Sequence, residues 1–105
     1  MSFQLSTDAQ QDEARITLGG ELDAAAAPQF KDAIEQVAVT SPKRLVLFMD
    51  ELAFLASAGL RVLIFARQKL GDVDIYVIGS KGPVLNTLKM SGFHQSVYLQ
   101  DSYAT

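Results

Sequence analysis

Cysteine is missing from this 105-residue chain, which removes disulfide staples, thiolate metal ligands and thiol nucleophiles together. Tryptophan is missing as well, and the single histidine, His94, has no partner at metal-ligand spacing. Neither a metal nor a cofactor is therefore expected. No apolar run approaches membrane-spanning length, and the N-terminus lacks the basic-then-apolar form of a signal peptide. The expectation is a cytoplasmic chain with no membrane partner. Basic residues are few, 9 against 12 acidic for a net charge of −3, and they are scattered. A protein that displaces counterions from phosphates needs clustered Lys and Arg, so direct nucleic-acid binding is not expected. Repeats and low-complexity tracts are absent too.

What the chain does have is 49% hydrophobic residues, enough for one core, and residues 1–105 read as one domain. Phe3-Gln4-Leu5 and Arg15-Ile16-Thr17-Leu18 alternate as two short strands, with Asp8 to Glu13 as the hairpin loop and Gly19-Gly20 as the end of the second. Pro28 suits a first helical turn, where its missing N–H costs nothing. Phe30, Ala33, Ile34 and Val37 then recur at helical spacing until Ser41-Pro42. The continuous run Leu45 to Met49 predicts a strand covered on both faces, as in a sheet sandwiched by helices. A second helix is expected from Ser57 to Leu70, a strand from Val73 to Ile78, a third helix from Gly82-Pro83 to Met90 stopped by Gly92, and a last strand at Val97-Tyr98-Leu99. The order ββαβαβαβ predicts an α/β domain with a central mixed sheet packed by three to four helices.

In the second helix, Gly59, Val62, Leu63, Ala66 and Leu70 fall on one stripe, and Ser57, Arg61 and Gln68 collect opposite, with Leu60 and Ile64 beside them. Two large apolar residues on an outward stripe point to a partner-binding face, and self-association as a weak homodimer stays open. Ser57 reads in two compatible ways. It is a favoured N-cap residue, and it is a hydroxyl whose phosphorylated form would meet free helix N–H groups and the positive end of the dipole, with Arg61 one turn on. Asp23 is a candidate either for partner contact or for capping the first helix. Phe54 and Leu55 are candidates for core or for partner contact.

Three blocks resemble a known family. Leu18-Gly19-Gly20-Glu21-Leu22-Asp23, Leu52-Ala53-Phe54-Leu55-Ala56-Ser57-Ala58-Gly59-Leu60 and Leu88-Lys89-Met90-Ser91-Gly92-Phe93 are similar, in order and spacing, to the motifs of STAS domains, and among them of the bacterial anti-sigma factor antagonists. The resemblance places Ser57 at the phosphorylatable serine. Ala56 stands where the family often has Asp, and Ala58 replaces a second serine, leaving one acceptor. The resemblance implies a STAS fold with no catalysis of its own. An anti-sigma factor, often a serine-protein kinase, would be bound while Ser57 is unmodified and released on phosphorylation, and a PP2C-type phosphatase would reset the switch. The partner face so implied comprises Asp23, Phe54, Leu55, Ala56, Ser57, Ala58, Leu60, Arg61 and Ile64. The alternative is a STAS accessory subunit, as of a lipid-transport ATPase, docking constitutively with Ser57 as a cap.

Two other chemistries were weighed. Ser57, Asp72 or Asp74, and His94 follow the chain order of an α/β-hydrolase triad, but Leu55 stands where the nucleophile elbow requires glycine. Gly79-Ser80-Lys81-Gly82 hints at a phosphate-cradling turn without the spacing of a P-loop.

Overall fold

Alternating residues at the N-terminus close into a longer hairpin than the short apolar triplets suggest. In the computed structural model, which describes residues 3–103, β1 (Phe3–Gln10) pairs antiparallel with β2 (Glu13–Leu22) across the two-residue turn Gln11-Asp12. The four outermost residues of the expected 1–105 domain lie outside the described residues. Gln11 takes the left-handed conformation, φ 52°, that so tight a reversal favours. The Asp12 carbonyl accepts from the N–H groups of Lys43, 2.7 Å, and Arg44, 3.2 Å, tying the turn to the next strand. Gly19-Gly20 does not end β2. Two register shifts there let the strand continue to Leu22, and Gly20 absorbs the kink at φ 80°.

The remaining elements are α1 (Ala27–Val39), β3 (Arg44–Leu55), α2 (Ser57–Leu70), β4 (Asp74–Ile78), α3 (Gly82–Ser91), a 3-10 turn at Phe93–Gln95 and β5 (Tyr98–Gln100). The five strands lie in the order β1-β2-β3-β4-β5, antiparallel only at the first pair. The order ββαβαβαβ and the mixed sheet are those expected, with three α-helices. Helical faces also follow the periodicity. Phe30, Ala33, Ile34 and Val37 of α1 and Gly59, Val62, Leu63 and Ala66 of α2 are buried, while Leu70 is half-buried. Arg67 closes the end of α2 by donating to the carbonyls of Gly71, 2.6 Å, Ser96, 3.1 Å, and Val73. Gly92, at φ 81°, ends α3 with its N–H on the Lys89 carbonyl.

The two-sided sandwich is corrected. Ala14, Ile16 and Leu18 of β2, Leu45, Leu47 and Met49 of β3, and Ile75 and Val77 of β4 share one buried cluster with side chains from all three helices. Val46 and Ile78, of the opposite parity, are buried outside that cluster. Strand order never reverses after β2, and right-handed crossovers then deposit every helix on the same face. Aromatic side chains take over the second face. Tyr76 stacks on Tyr98 with ring centroids 4.8 Å apart, and Tyr103 meets Tyr76 and Phe48 edge-on at 5.5 and 6.1 Å.

The opposed faces of α2 give a stability test. Leu63 has no exposed surface and Ile64 retains 42% of its own. Leu63→Ala is expected to cost about 2–5 kcal/mol in urea unfolding, and Ile64→Lys about 1 kcal/mol or less. A Cβ on Gly59 would fall 2.6 Å from Leu22 Cγ and 2.9 Å from Leu55 Cδ1. Gly59→Val is therefore expected to lose about 1–3 kcal/mol to overpacking, despite valine's better helix propensity, with the loss read as a lower urea midpoint.

Candidate functional site

The site is built where β3 hands over to α2. β3 runs past the apolar run through Asp50 and Glu51 to Leu55, because Glu51 pairs with Gly19 and Leu55 with Leu22. One residue, Ala56, separates strand from helix. Its N–H donates to the Leu22 carbonyl at 2.9 Å, and its own carbonyl accepts from Leu60 N–H at 3.0 Å, the first bond of α2. Ala56 is thus the N-cap, extended at φ −83°, ψ 167°, and has no side chain able to cap.

Ser57 is the first helical residue, and the capping reading of it is corrected. A residue at the N-cap can aim its hydroxyl at the N–H groups two and three positions on; Ser57 has already entered the helix, and no side-chain cap bond is made. Its side chain is exposed, and among the described residues no hydrogen bond engages the hydroxyl. The first turn carries no acidic residue. An exposed hydroxyl therefore stands beside unsatisfied helix N–H groups, where added negative charge is favoured by the backbone dipole. Arg61, one turn further along, is exposed and without an ion pair among the described residues.

The surroundings sort into two groups. Phe54, at the end of β3, and Ile64, on α2, are large apolar side chains with 44% and 42% of their surface exposed. Ala56 and Ala58 are half-buried, and Leu60 is half-buried with part of its side chain on the core. Leu55 is corrected outright: at 4% exposure it belongs to the core, because β-strand alternation turns it inward where Phe54 turns outward. Asp23 is half-buried, and its Oδ1 accepts from Ala26 N–H at 3.0 Å in the turn that leads into α1. Beyond Ile64 the surface continues into a shallow groove of about 300 Å³ between α2 and the Gly92-Phe93 corner.

The other constellations do not assemble. Ser57 follows the C-terminal end of β3, whereas Asp74 opens the parallel strand β4 at its N-terminal end, and Asp72 lies beyond α2, whose fourteen residues span about 20 Å. His94 sits half-buried in the 3-10 turn with Nδ1 buried and unbonded among the described residues. At Gly79 to Gly82 the Gly79 N–H is taken by the Gln100 carbonyl at 2.9 Å, and the Asp50 carboxylate occupies the space a Cβ on Gly79 would need. That turn offers a carboxylate where a phosphate would have to sit.

A second cluster escaped the sequence reading. Glu13, nearly buried, is bonded by Arg15, by Arg44 Nε at 3.1 Å and by the Tyr103 hydroxyl at 2.6 Å. Burial alone would raise its pKa, but the Tyr103 and Arg15 hydrogen bonds and the two guanidinium charges outweigh it and hold the carboxyl below the ordinary glutamate value. The available signal was parity, since Glu13, Arg15 and Thr17 alternate with the inward Ala14, Ile16 and Leu18.

Comparison with known proteins shows the family and the fold. The STAS domain profile matches residues 4–105. The chain is 31% identical over 71 residues to the anti-sigma-F factor antagonist RsfB of Mycobacterium tuberculosis, a match covering 68% of this chain and 58% of that relative. It spans, in other words, a little over half of the relative's length. A STAS-domain containing protein of Pseudomonas aeruginosa is 33% identical over 92 residues, 86% of this chain and 88% of that protein. The crystal structure of an anti-sigma factor antagonist from Mycobacterium paratuberculosis shares the fold with a TM-score of 0.88 at 24% identity, covering 96% of this chain and 87% of that one.

Proposed function

The chain belongs to the STAS domain family, and from that premise we propose that it is an anti-sigma factor antagonist, a cytoplasmic binding protein that frees a sigma factor by occupying its inhibitor. The partner is an anti-sigma factor with serine-protein kinase activity. It docks on the N-terminal face of α2, with Phe54 and Ile64 as apolar anchors, Leu60 and Ala58 between them, and Ala56, Ser57 and Arg61 at the centre. Asp23 flanks this face from the turn before α1. The observation that carries the reading is Ser57 itself, exposed at the first helical position with its hydroxyl uncommitted.

The switch is electrostatic. Phosphorylation adds about −1.5 to −2 charges at a helix N-terminus, where the backbone N–H groups and dipole accommodate them. Arg61 adds a cation within one turn. The domain stays folded while its surface changes. A partner that buries Phe54 and Ile64 must then desolvate a phosphate, and the complex dissociates. A PP2C-type phosphatase restores the binding form. Because Ala58 stands beside Ser57, the pair offers the kinase a single acceptor.

Intact mass and peptide mapping of protein from its native host are expected to find one phosphate, on Ser57. Protein unmodified under every growth condition, and inert to its host's serine kinases, would overturn the switch and assign the domain to constitutive docking, as in an accessory subunit of a lipid-transport ATPase. Ser57→Ala is expected to keep partner binding and lose release. Ser57→Asp is expected to weaken binding by tenfold or more, about 1.4 kcal/mol at least, with a melting temperature close to that of the parent.

A further inference from the structure

The sheet has one face without helices, and a short segment after β5 closes it. After β5 the chain bends at the exposed residues Asp101 and Ser102 and lays Tyr103 back across β4, β3 and β2. Its ring meets Tyr76 and Phe48 edge-on, and the guanidinium carbons of Arg15 and Arg44 lie 5.7 and 6.0 Å from its centroid. Val46, paired in register with Arg15 and Tyr76, which both meet this ring, has no exposed surface and lies outside the cluster that joins the helices to the sheet. The far end of the ring is clasped, the hydroxyl donating to Glu13 Oε1 at 2.6 Å.

We infer that residues 101–103 form a reversible strap, which Tyr103 closes over the helix-free face through its clasp on Glu13 and which opens, without unfolding the domain, when Glu13 takes up a proton. Three features support a cover that moves separately from the core. Among the described residues the strap is anchored by one side chain, and its two hinge residues are exposed. The side chains beneath it are outside the cluster that binds the helices to the sheet. The clasp also depends on charge. Glu13 faces Arg15 on its own strand, Arg44 on β3 and Tyr103 on the strap. Around these stand Asp8 of β1, which acts on Arg15, the Asp12–Lys43 ion pair at 3.7 Å in the turn, and Asp74, paired in register with Arg44. A protonated Glu13 removes the ion-pair partner of Arg15 and Arg44 and takes the negative charge from the acceptor of the Tyr103 hydroxyl. Its carboxyl is held below the ordinary value, so the clasp is intact above the usual glutamate pKa of about 4.3 and is lost as pH falls through the lowered one. This device is independent of the α2 face, and the partner-binding reading can fail without it.

Methyl and aromatic NMR on the full chain tests it. As pH falls from about 7 to about 3, the Val46 methyls, ring-shifted by Tyr103, Tyr76 and Phe48, are expected to move together with the Tyr103 ring signals in one transition, while the methyls of Leu63 and Ile34 stay in place. In Tyr103→Ala the Val46 methyls are expected already at their acid position at neutral pH and no longer to titrate. Glu13→Gln at neutral pH is expected to shift them toward that position, and Tyr103→Phe, which keeps the ring and loses the clasp, to abolish most of the titration. Val46 signals that ignore pH, that move only together with Leu63 and Ile34, or that are the same in Tyr103→Phe as in the parent would overturn the strap.

Discussion

The close approach of α2 to the ends of β2 and β3 is the constraint from which the rest of the molecule follows. Gly59 has no side chain because Leu22 and Leu55 fill the place one would take. Ala56 has its N–H on the Leu22 carbonyl, so the helix begins one residue after the strand ends. With a linker that short and a contact that tight, α2 has no freedom to roll. Its rotation then decides every exposure on the partner face. Leu63 goes to the core, Leu60 to the boundary, and Ser57, Arg61 and Ile64 to solvent.

That geometry is what the proposed switch relies on: a hydroxyl whose modification would change binding and leave the fold in place. At the first helical position a serine is inside the region of unsatisfied N–H groups and outside the packed interface. Charge added there meets a favourable backbone field and displaces no core atom. The same charge meets a partner across apolar surface, where its desolvation is costly. In the proposed switch one substituent would therefore act strongly on the complex and weakly on the fold. The fold comes from the STAS architecture, and the response belongs to a few atoms at a helix start.

Placing every helix on one side leaves the sheet with a second face to close. Four aromatic residues, Phe48, Tyr76, Tyr98 and Tyr103, share that work with the aliphatic stems of Arg15 and Arg44. Glu13 pairs with both guanidinium groups, which compensate its own nearly buried charge. The molecule thus has a helical side, which carries the proposed partner face, and an aromatic side secured by one ion cluster.

Local pattern alone determined the element order, the inward residues of α1 and α2, the bounds of α2 and the place of Ser57 at its start, because a 3.6-residue stripe and a Pro or Gly boundary are written within a few turns of chain. It failed wherever a distant partner decided the outcome. Leu55 and Phe54 are equally apolar neighbours, and only the pairing of β3 with β2 turns one inward and the other out. Asp50 and Glu51 look like the end of a strand until Gly19 supplies a partner for it. The run Leu45 to Met49 announced two buried faces, but not that one would be covered by helices and the other by rings. Glu13 and Tyr103 lie 90 residues apart and meet only when the finished sheet lets the segment after β5 reach back over β4 and β3 to β2. Periodicity is a property of neighbours, and a sheet's second face is made by residues that become neighbours only on folding.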